Sequence, residues 1–214
     1  MDVVESIHQL LSQSIGLLTI FNPIAGAAIM VSIMGAEPTQ EEIALSARKT
    51  ALTVFVACLV TVALGELLFN FFGINTYSIE VIGGLIILRM SMNMIEGNYS
   101  TNHSAAESKE AIEKSDVSII PLGIPVFFGP GAIATLILFK SKSQSWAEII
   151  TLLLSVIISC WVVFITLKNA KHISASLGVT GMKITTRVLG LVVGAIAVQF
   201  IITGVYTLWM HMKG

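Results

Sequence analysis

Long apolar runs separated by short polar stretches dominate this sequence. A helix of about 20 apolar residues is long enough to cross the roughly 30 Å hydrocarbon layer of a bilayer. The pattern predicts six such spans. They cover residues 7–34, about 50–70, 77–97, 117–139, 146–167 and about 186–209. A polar segment at 98–116, rich in Ser, Asn, Glu and Lys, separates the third span from the fourth and is predicted to be a loop.

The fourth span carries an interruption near its middle, at Gly129-Pro130-Gly131. Proline has no amide hydrogen and its ring collides with the preceding turn, while the glycines add backbone freedom. A helix break is therefore predicted there, and Asn22-Pro23 predicts another in the first span. Unpaired backbone at that depth is tolerated only under other helices or along a wet cavity, where transporters bind their substrates.

The two breaks also align in an internal repeat. Shifting the chain by 107 positions (130 − 23) places Pro23 on Pro130. The same shift makes identical pairs at Gly16/Gly123, Phe21/Phe128, Ala25/Ala132, Ala27/Ala134, Val81/Val188 and Gly83/Gly190. Spans two and five give no convincing match. Because three spans per half is an odd number, the halves must lie upside down relative to each other, as in known secondary transporters.

The predicted fold is an all-α membrane protein with six transmembrane helices in two inverted three-helix repeats. The first repeat covers residues 1–97 and the second 117–214, and the first and fourth helices are broken at mid-membrane. A chain with 55% hydrophobic and 12% charged residues and a mean hydropathy of +0.87 belongs in a lipid bilayer. A net charge of −1 argues against nucleic acid as a partner.

Charge also predicts the orientation. Eight Lys and Arg residues lie on the side of the polar loop and three on the side of the N-terminus. Because cytoplasmic loops are enriched in these residues, both termini are expected outside the cytoplasm and the polar loop inside it.

The breaks supply the candidate solute site. Each break exposes the first amides of a half-helix, whose positive dipole end favours a small anionic group such as a carboxylate. Small residues nearby leave room for a small ligand only. The candidate binding residues are Asn22, Pro23, Ala25 and Gly26 in one half, and Gly129, Pro130, Gly131, Ala132 and Thr135 in the other. The alternative is that the prolines only kink helices and the small residues only allow close packing.

Arg89 is the one charge deep within a predicted span. A charge at that depth is costly and is a functional candidate. Its predicted partner is Glu66 in span two, and the pair is either a gate or a fastener between neighbouring helices. Glu80 and Arg187 match under the 107-residue shift, but each lies about a turn from a membrane surface, so interfacial anchoring is expected of them.

No motif for a catalytic site is present. The sequence contains no His-Glu-x-x-His, Gly-x-Ser-x-Gly or Walker-type pattern. Cys58 and Cys160 lie in apolar runs and are expected to be small buried side chains rather than a disulfide or metal ligands. Neither an enzyme, nor a cofactor, nor a bound metal is expected.

The segment from Pro121-Leu-Gly-Ile-Pro125 to Gly129-Pro130-Gly131-Ala-Ile-Ala-Thr135 resembles the signature of the MarC family of inner-membrane proteins, which includes the SnatA-type small neutral amino acid transporters. Asn22-Pro23 resembles the family's other half-motif, although Ala25 and Ala28 replace an expected glycine and proline. The resemblance implies two inverted three-helix halves and transport of glycine, alanine or similar compounds, driven by an ion gradient of sodium or protons.

The sequence thus predicts a multi-pass transporter in a bacterial inner membrane that moves a small neutral solute by alternating access, one half rocking against the other. The rival interpretation is a membrane protein without transport activity, such as an assembly or regulatory partner. A channel would need a continuous polar lining, which these spans lack. The oligomeric state stays open, with a homo-oligomer as one option.

Overall fold

A computed structural model describes residues 3–34, 38–97 and 118–213, apart from the side chains of residues 3, 66, 68, 70, 118–121 and 125. The predicted polar loop at 98–116 lies outside these ranges. The described elements are α1 Val3–Phe21, α2 Pro23–Ile33, α3 Gln40–Phe71, α4 Thr76–Glu96, a π-helical segment Ser118–Phe127, α5 Pro130–Lys142, α6 Trp146–Lys168 and α7 Ala170–Lys213. Within those ranges the fold is entirely helical, as predicted.

Five helical stretches are long and apolar enough to cross a membrane within the described part of the chain. They are α1 with α2 taken together, α3, α4, α6 and α7. The predicted fourth span is instead divided into the π-helical segment and α5, of 10 and 13 residues. Its break lies at the predicted place, because α5 begins at Pro130.

The second span begins much earlier than predicted, because Thr39 caps α3. The Glu42 carboxylate accepts hydrogen bonds from the Thr39 amide at 2.7 Å and hydroxyl at 2.9 Å, and the Glu42 amide donates to the Thr39 hydroxyl at 3.2 Å. This reciprocal capping box starts the helix at Gln40. Arg48 and Lys49 therefore lie inside α3 rather than before it.

The same device starts α6. The Ser145 hydroxyl donates to Glu148 at 2.9 Å and accepts from the Glu148 amide at 3.3 Å. Thr39 and Ser145 lie 106 positions apart (145 − 39), one fewer than the repeat shift. Spans two and five thus begin with the same kind of cap.

The sixth span also begins earlier than predicted. α7 starts at Ala170 and runs to Lys213, with a kink at Gly178, where φ is 60° and ψ is −179°. Only glycine adopts that backbone conformation readily. Gly178 therefore divides α7 into two helices. The second, which follows Gly178, begins about two turns before the predicted start near residue 186, because hydropathy marks only the apolar part of a helix.

The elements of the two halves interleave. Extensive contacts join α4 to α7, α3 to α6, α1 and α2 to α6, α2 to α7, α3 to the π-helical segment and α5, and α4 to α5. Each of these contacts connects an element before residue 98 with one after residue 117.

Helices α4 and α7 pack antiparallel along a seam of small residues. A Cβ on Gly84 would lie 2.6 Å from Ile201 and 2.8 Å from the Ala197 carbonyl oxygen. Further along, a Cβ on Gly194 would lie 2.8 Å from the Ser91 hydroxyl, and one on Gly190 would lie 2.9 Å from Met94. As residue numbers rise along α4, those of the α7 partners fall. The glycines let the two backbones approach closely.

Candidate functional site

The first break consists of a single residue, Asn22. Its backbone lies in the left-handed region, with φ 46° and ψ 64°. The Asn22 amide donates to the Leu18 carbonyl at 2.9 Å, closing α1, and its carbonyl accepts from Gly26 at 3.1 Å, opening α2. Asparagine is among the few residues that tolerate this conformation, and Pro23 at the first helical position fits because it lacks an amide hydrogen.

The Asn22 side chain is completely buried, at 0% exposure. Its Oδ1 accepts from the Ala25 amide at 3.4 Å, a long capping bond. Its Nδ2 has no hydrogen-bond partner. A buried donor without an acceptor costs about 1–3 kcal/mol. Two N–H groups are therefore available at this break for an acceptor that the protein itself does not supply.

The second break has a different geometry. The Phe128 amide donates to the Gly123 carbonyl at 3.0 Å, a bond from residue i to i−5 that closes the π-helical segment. Gly129 then takes an extended conformation, with φ −102° and ψ −178°. Gly131 is buried, whereas Pro130 is exposed. This break is thus open to the surroundings on one side.

The two breaks lie against each other. A Cβ on Gly26 would lie 2.1 Å from Cζ of Phe127, the last residue of the π-helical segment. A Cβ on Gly131 would lie 3.8 Å from Cγ2 of Ile20, just before the first break. Ile20 and Phe127 are equivalent under the 107-residue shift. Each thus packs on the half-helix that follows the opposite break.

Donors and acceptors meet in this region. The Thr135 hydroxyl donates to the Gly131 carbonyl at 2.9 Å, which leaves its lone pairs as acceptors. The Thr19 carbonyl loses its helical donor, because the residue four positions later is Pro23. The amides of Ile24 and Gly131 lie in the first turns of α2 and α5, where no intrahelical acceptor exists. The helices beside the two breaks therefore carry both hydrogen-bond donors and hydrogen-bond acceptors.

Most of the predicted binding residues are buried. Asn22, Pro23, Ala25, Gly26, Gly131, Ala132 and Thr135 are buried, Gly129 is half-buried and Pro130 is exposed. None of these residues carries a formal charge. The net charge of a charged solute would meet no opposite charge among these residues. A zwitterion has no net charge that needs such a partner.

Arg89 is exposed, which corrects the expectation of a buried charge. It lies on α4 with exposed Ile82, Leu85 and Met92, spaced by three or four residues along one apolar face. That face is opposite the one that packs on α7. The Glu66 side chain lies outside the described part, so its pairing with Arg89 remains a prediction.

The structure instead joins Glu80 to Lys142, a pair that sequence reasoning missed. Glu80 Oε1 lies 2.7 Å from Lys142 Nζ, and the Glu80 side chain is 5% exposed. Glu80 is therefore not a simple interfacial anchor. Its position one turn into α4 suggested a surface location, but Gly204 of α7 and Lys142 of α5 lie against it.

Comparisons with known proteins agree with the family that the sequence signature indicates. A family model described as "MarC family integral membrane protein" matches residues 7–209. A UPF0056 membrane protein of Pyrococcus horikoshii is 30% identical over 203 residues, covering 95% of this chain and 97% of that protein. YvbG of Bacillus subtilis, also a UPF0056 membrane protein, is 30% identical over 192 residues, covering 89% of this chain and 90% of that protein.

A more distant relative is YhcE of Escherichia coli, a UPF0056 membrane protein that is 27% identical over 199 residues, covering 89% of each chain. No solved structure matches significantly. The names of these relatives state membrane location and no substrate.

Proposed function

Because the chain belongs to the MarC family of integral membrane proteins, we propose that it is a secondary transporter of a small neutral solute. The proposed class of solute is a small amino acid such as glycine or alanine. The observation that carries the proposal is the side-chain nitrogen Nδ2 of Asn22, which is buried at a helix break without an acceptor. A solute carboxylate supplies that acceptor, and its ammonium group faces the Thr135 hydroxyl and the Thr19 carbonyl.

The proposed architecture is the inverted repeat. Two contacts at opposite ends of the α4–α7 seam support it. A Cβ on Gly204 would lie 2.9 Å from Cβ of Glu80, and a Cβ on Gly97 would lie 3.3 Å from Nη2 of Arg187. Glu80 and Arg187 lie 107 positions apart, as do Gly97 and Gly204. An exchange of the two halves therefore maps one contact onto the other.

The proposed motion follows from the interleaved contacts. Helices α2 and α5 contain 11 and 13 residues, so each is roughly 16–20 Å long and covers only part of the bilayer. Both begin at a break and extend away from it. Alternating access then consists of movement of these half-helices, while the α4–α7 seam keeps its packing.

In this proposal the protein lies in the cytoplasmic membrane with both termini outside, is driven by a sodium or proton gradient, and catalyses no covalent reaction. The small packing residues limit the solute to a short side chain. Ala25, Ala27 and Ala132 are all buried next to the breaks.

Reconstitution in proteoliposomes tests the function. We expect saturable, gradient-dependent uptake of a small zwitterionic amino acid, competed by glycine and alanine but not by lysine or glutamate. Downhill flux without saturation would indicate a channel. An absence of flux for a broad panel of solutes, with sodium and proton gradients imposed in turn, would contradict transport and favour an assembly or regulatory role.

A further inference from the structure

We propose that the ion pair between Glu80 and Lys142 closes the solute site at one end of the molecule, by holding the far end of α5 against α4. This inference rests on the proposed function, because it concerns access to the same site. It places the gate in different residues from those expected from the sequence.

The pair joins two elements of opposite halves. Glu80 lies one turn into α4, and Lys142 is the last residue of α5, where the helix dipole favours a base. Their charged atoms are 2.7 Å apart. Lys142 Nζ also lies 5.5 Å from the centroid of the Phe200 ring on α7. Three helices therefore meet at this one ammonium group.

The fold makes room for the carboxylate. A Cβ on Gly204 of α7 would lie 2.9 Å from Cβ of Glu80 and 2.8 Å from the Tyr77 carbonyl oxygen. The glycine thus lets α7 cover the start of α4. Glu80 is the only buried acidic side chain among those the structure describes. A carboxylate removed from water in this way depends on its cationic partner.

The pair controls α5 in particular. Lys142 lies seven residues, or about two turns, beyond Thr135, so both side chains project from the same face of the helix. Lys142 is 48% exposed, so the pair lies where the end of α5 reaches the protein surface. Separation of the charges would free the end of α5 and open a path to the site. The charge count predicts that this end faces outward.

Thiol labelling tests this gate without any solute. Thr135→Cys provides a nearly isosteric reporter, and a membrane-impermeant maleimide is applied to each side of the membrane in turn. The parent chain, which keeps only the buried Cys58 and Cys160, measures the background. We expect slow labelling of the reporter, at least tenfold faster labelling from one side after Glu80→Gln or Lys142→Met, and protection restored by the exchange Glu80→Lys with Lys142→Glu.

Glu148→Gln is the matched control, because it neutralises a carboxylate that is bonded within the first turn of α6. It should leave the labelling rate unchanged. Equal rates for the single variants and the unmodified pair would overturn the proposal, as would an exchange variant that labels as fast as the singles. Since Lys142 is half-exposed, Lys142→Met provides the test even if Glu80→Gln does not fold.

The two proposals fail separately. Accelerated labelling without flux of any solute would contradict the transport function but support the ion pair as the element that closes the site. Solute flux with unchanged labelling in the ion-pair variants would support transport but contradict the gate.

Discussion

The ring of Phe127 occupies the space beside Gly26 so completely that a Cβ there would lie 2.1 Å from Cζ of the ring. Gly26 is four positions after Asn22 at the first break, and Phe127 is two positions before Gly129 at the second. This contact therefore fixes the distance between the two breaks. It also explains why the half-helix α2 needs a glycine in its first turns.

Gly26→Ala should lower the free energy of unfolding by about 1–3 kcal/mol, because the buried Phe127 ring must leave its place. Thermal unfolding in detergent measures the effect. Gly131→Ala is the control, since its Cβ would meet Sδ of Met90 at 3.4 Å, an ordinary contact with a flexible side chain. Similar losses in both variants would contradict the close approach at Gly26.

The α4–α7 seam predicts a graded series. Gly84→Ala should destabilise the protein by about 1–3 kcal/mol, because its Cβ would press on the backbone oxygen of Ala197. Gly194→Ala should cost less, because its closest contact is the rotatable hydroxyl of Ser91. The reverse order of melting temperatures would show that the antiparallel register described for this seam is wrong.

The capping boxes predict equal effects in the two halves. Thr39→Ala and Ser145→Ala should each destabilise the protein by about 1 kcal/mol, because each removes the hydroxyl that accepts from a first-turn amide. Hydrogen exchange at the starts of α3 and α6 localises the loss. Thr39→Ser keeps a hydroxyl and is expected to preserve protection, so a loss as large as that of Thr39→Ala would argue against capping.

Much of the fold follows from local chemistry that the sequence displays. Pro23 and Pro130 interrupt helices wherever they are placed in them, and apolar runs reveal spans by length alone. The break positions and the limits of α4 and α6 were therefore predictable. The starts of α3 and α7 were not, because hydropathy marks only the apolar part of a helix, whereas the capping box at Thr39 and the non-helical backbone of Gly178 set where these helices begin.

The candidate site was predictable only in part. The sequence identified Asn22 and the residues after each break, since these depend on the prolines themselves. It did not identify the contact of Phe127 with Gly26 or the pair of Glu80 with Lys142, because both depend on how distant helices pack. The prediction that Arg89 is buried was wrong for the same reason. A sequence shows how far along a helix a residue lies but not which helix face a neighbour covers.

The central claim is that the unpaired side-chain nitrogen Nδ2 of Asn22 binds the solute, and Asn22→Gly tests it most directly. Glycine removes the side chain but accepts the left-handed backbone of Asn22, whereas Asn22→Ala adds strain of about 1–2 kcal/mol. Ser14→Ala is the matched control, because the Ser14 hydroxyl is also buried without a partner.

The decisive measurement is saturable amino acid uptake by these variants in proteoliposomes, with melting temperatures measured in parallel. We expect Asn22→Gly to lower uptake at least tenfold at an unchanged melting temperature, while Ser14→Ala transports like the unaltered protein. Uptake by Asn22→Gly at the rate of the unaltered protein would contradict the account.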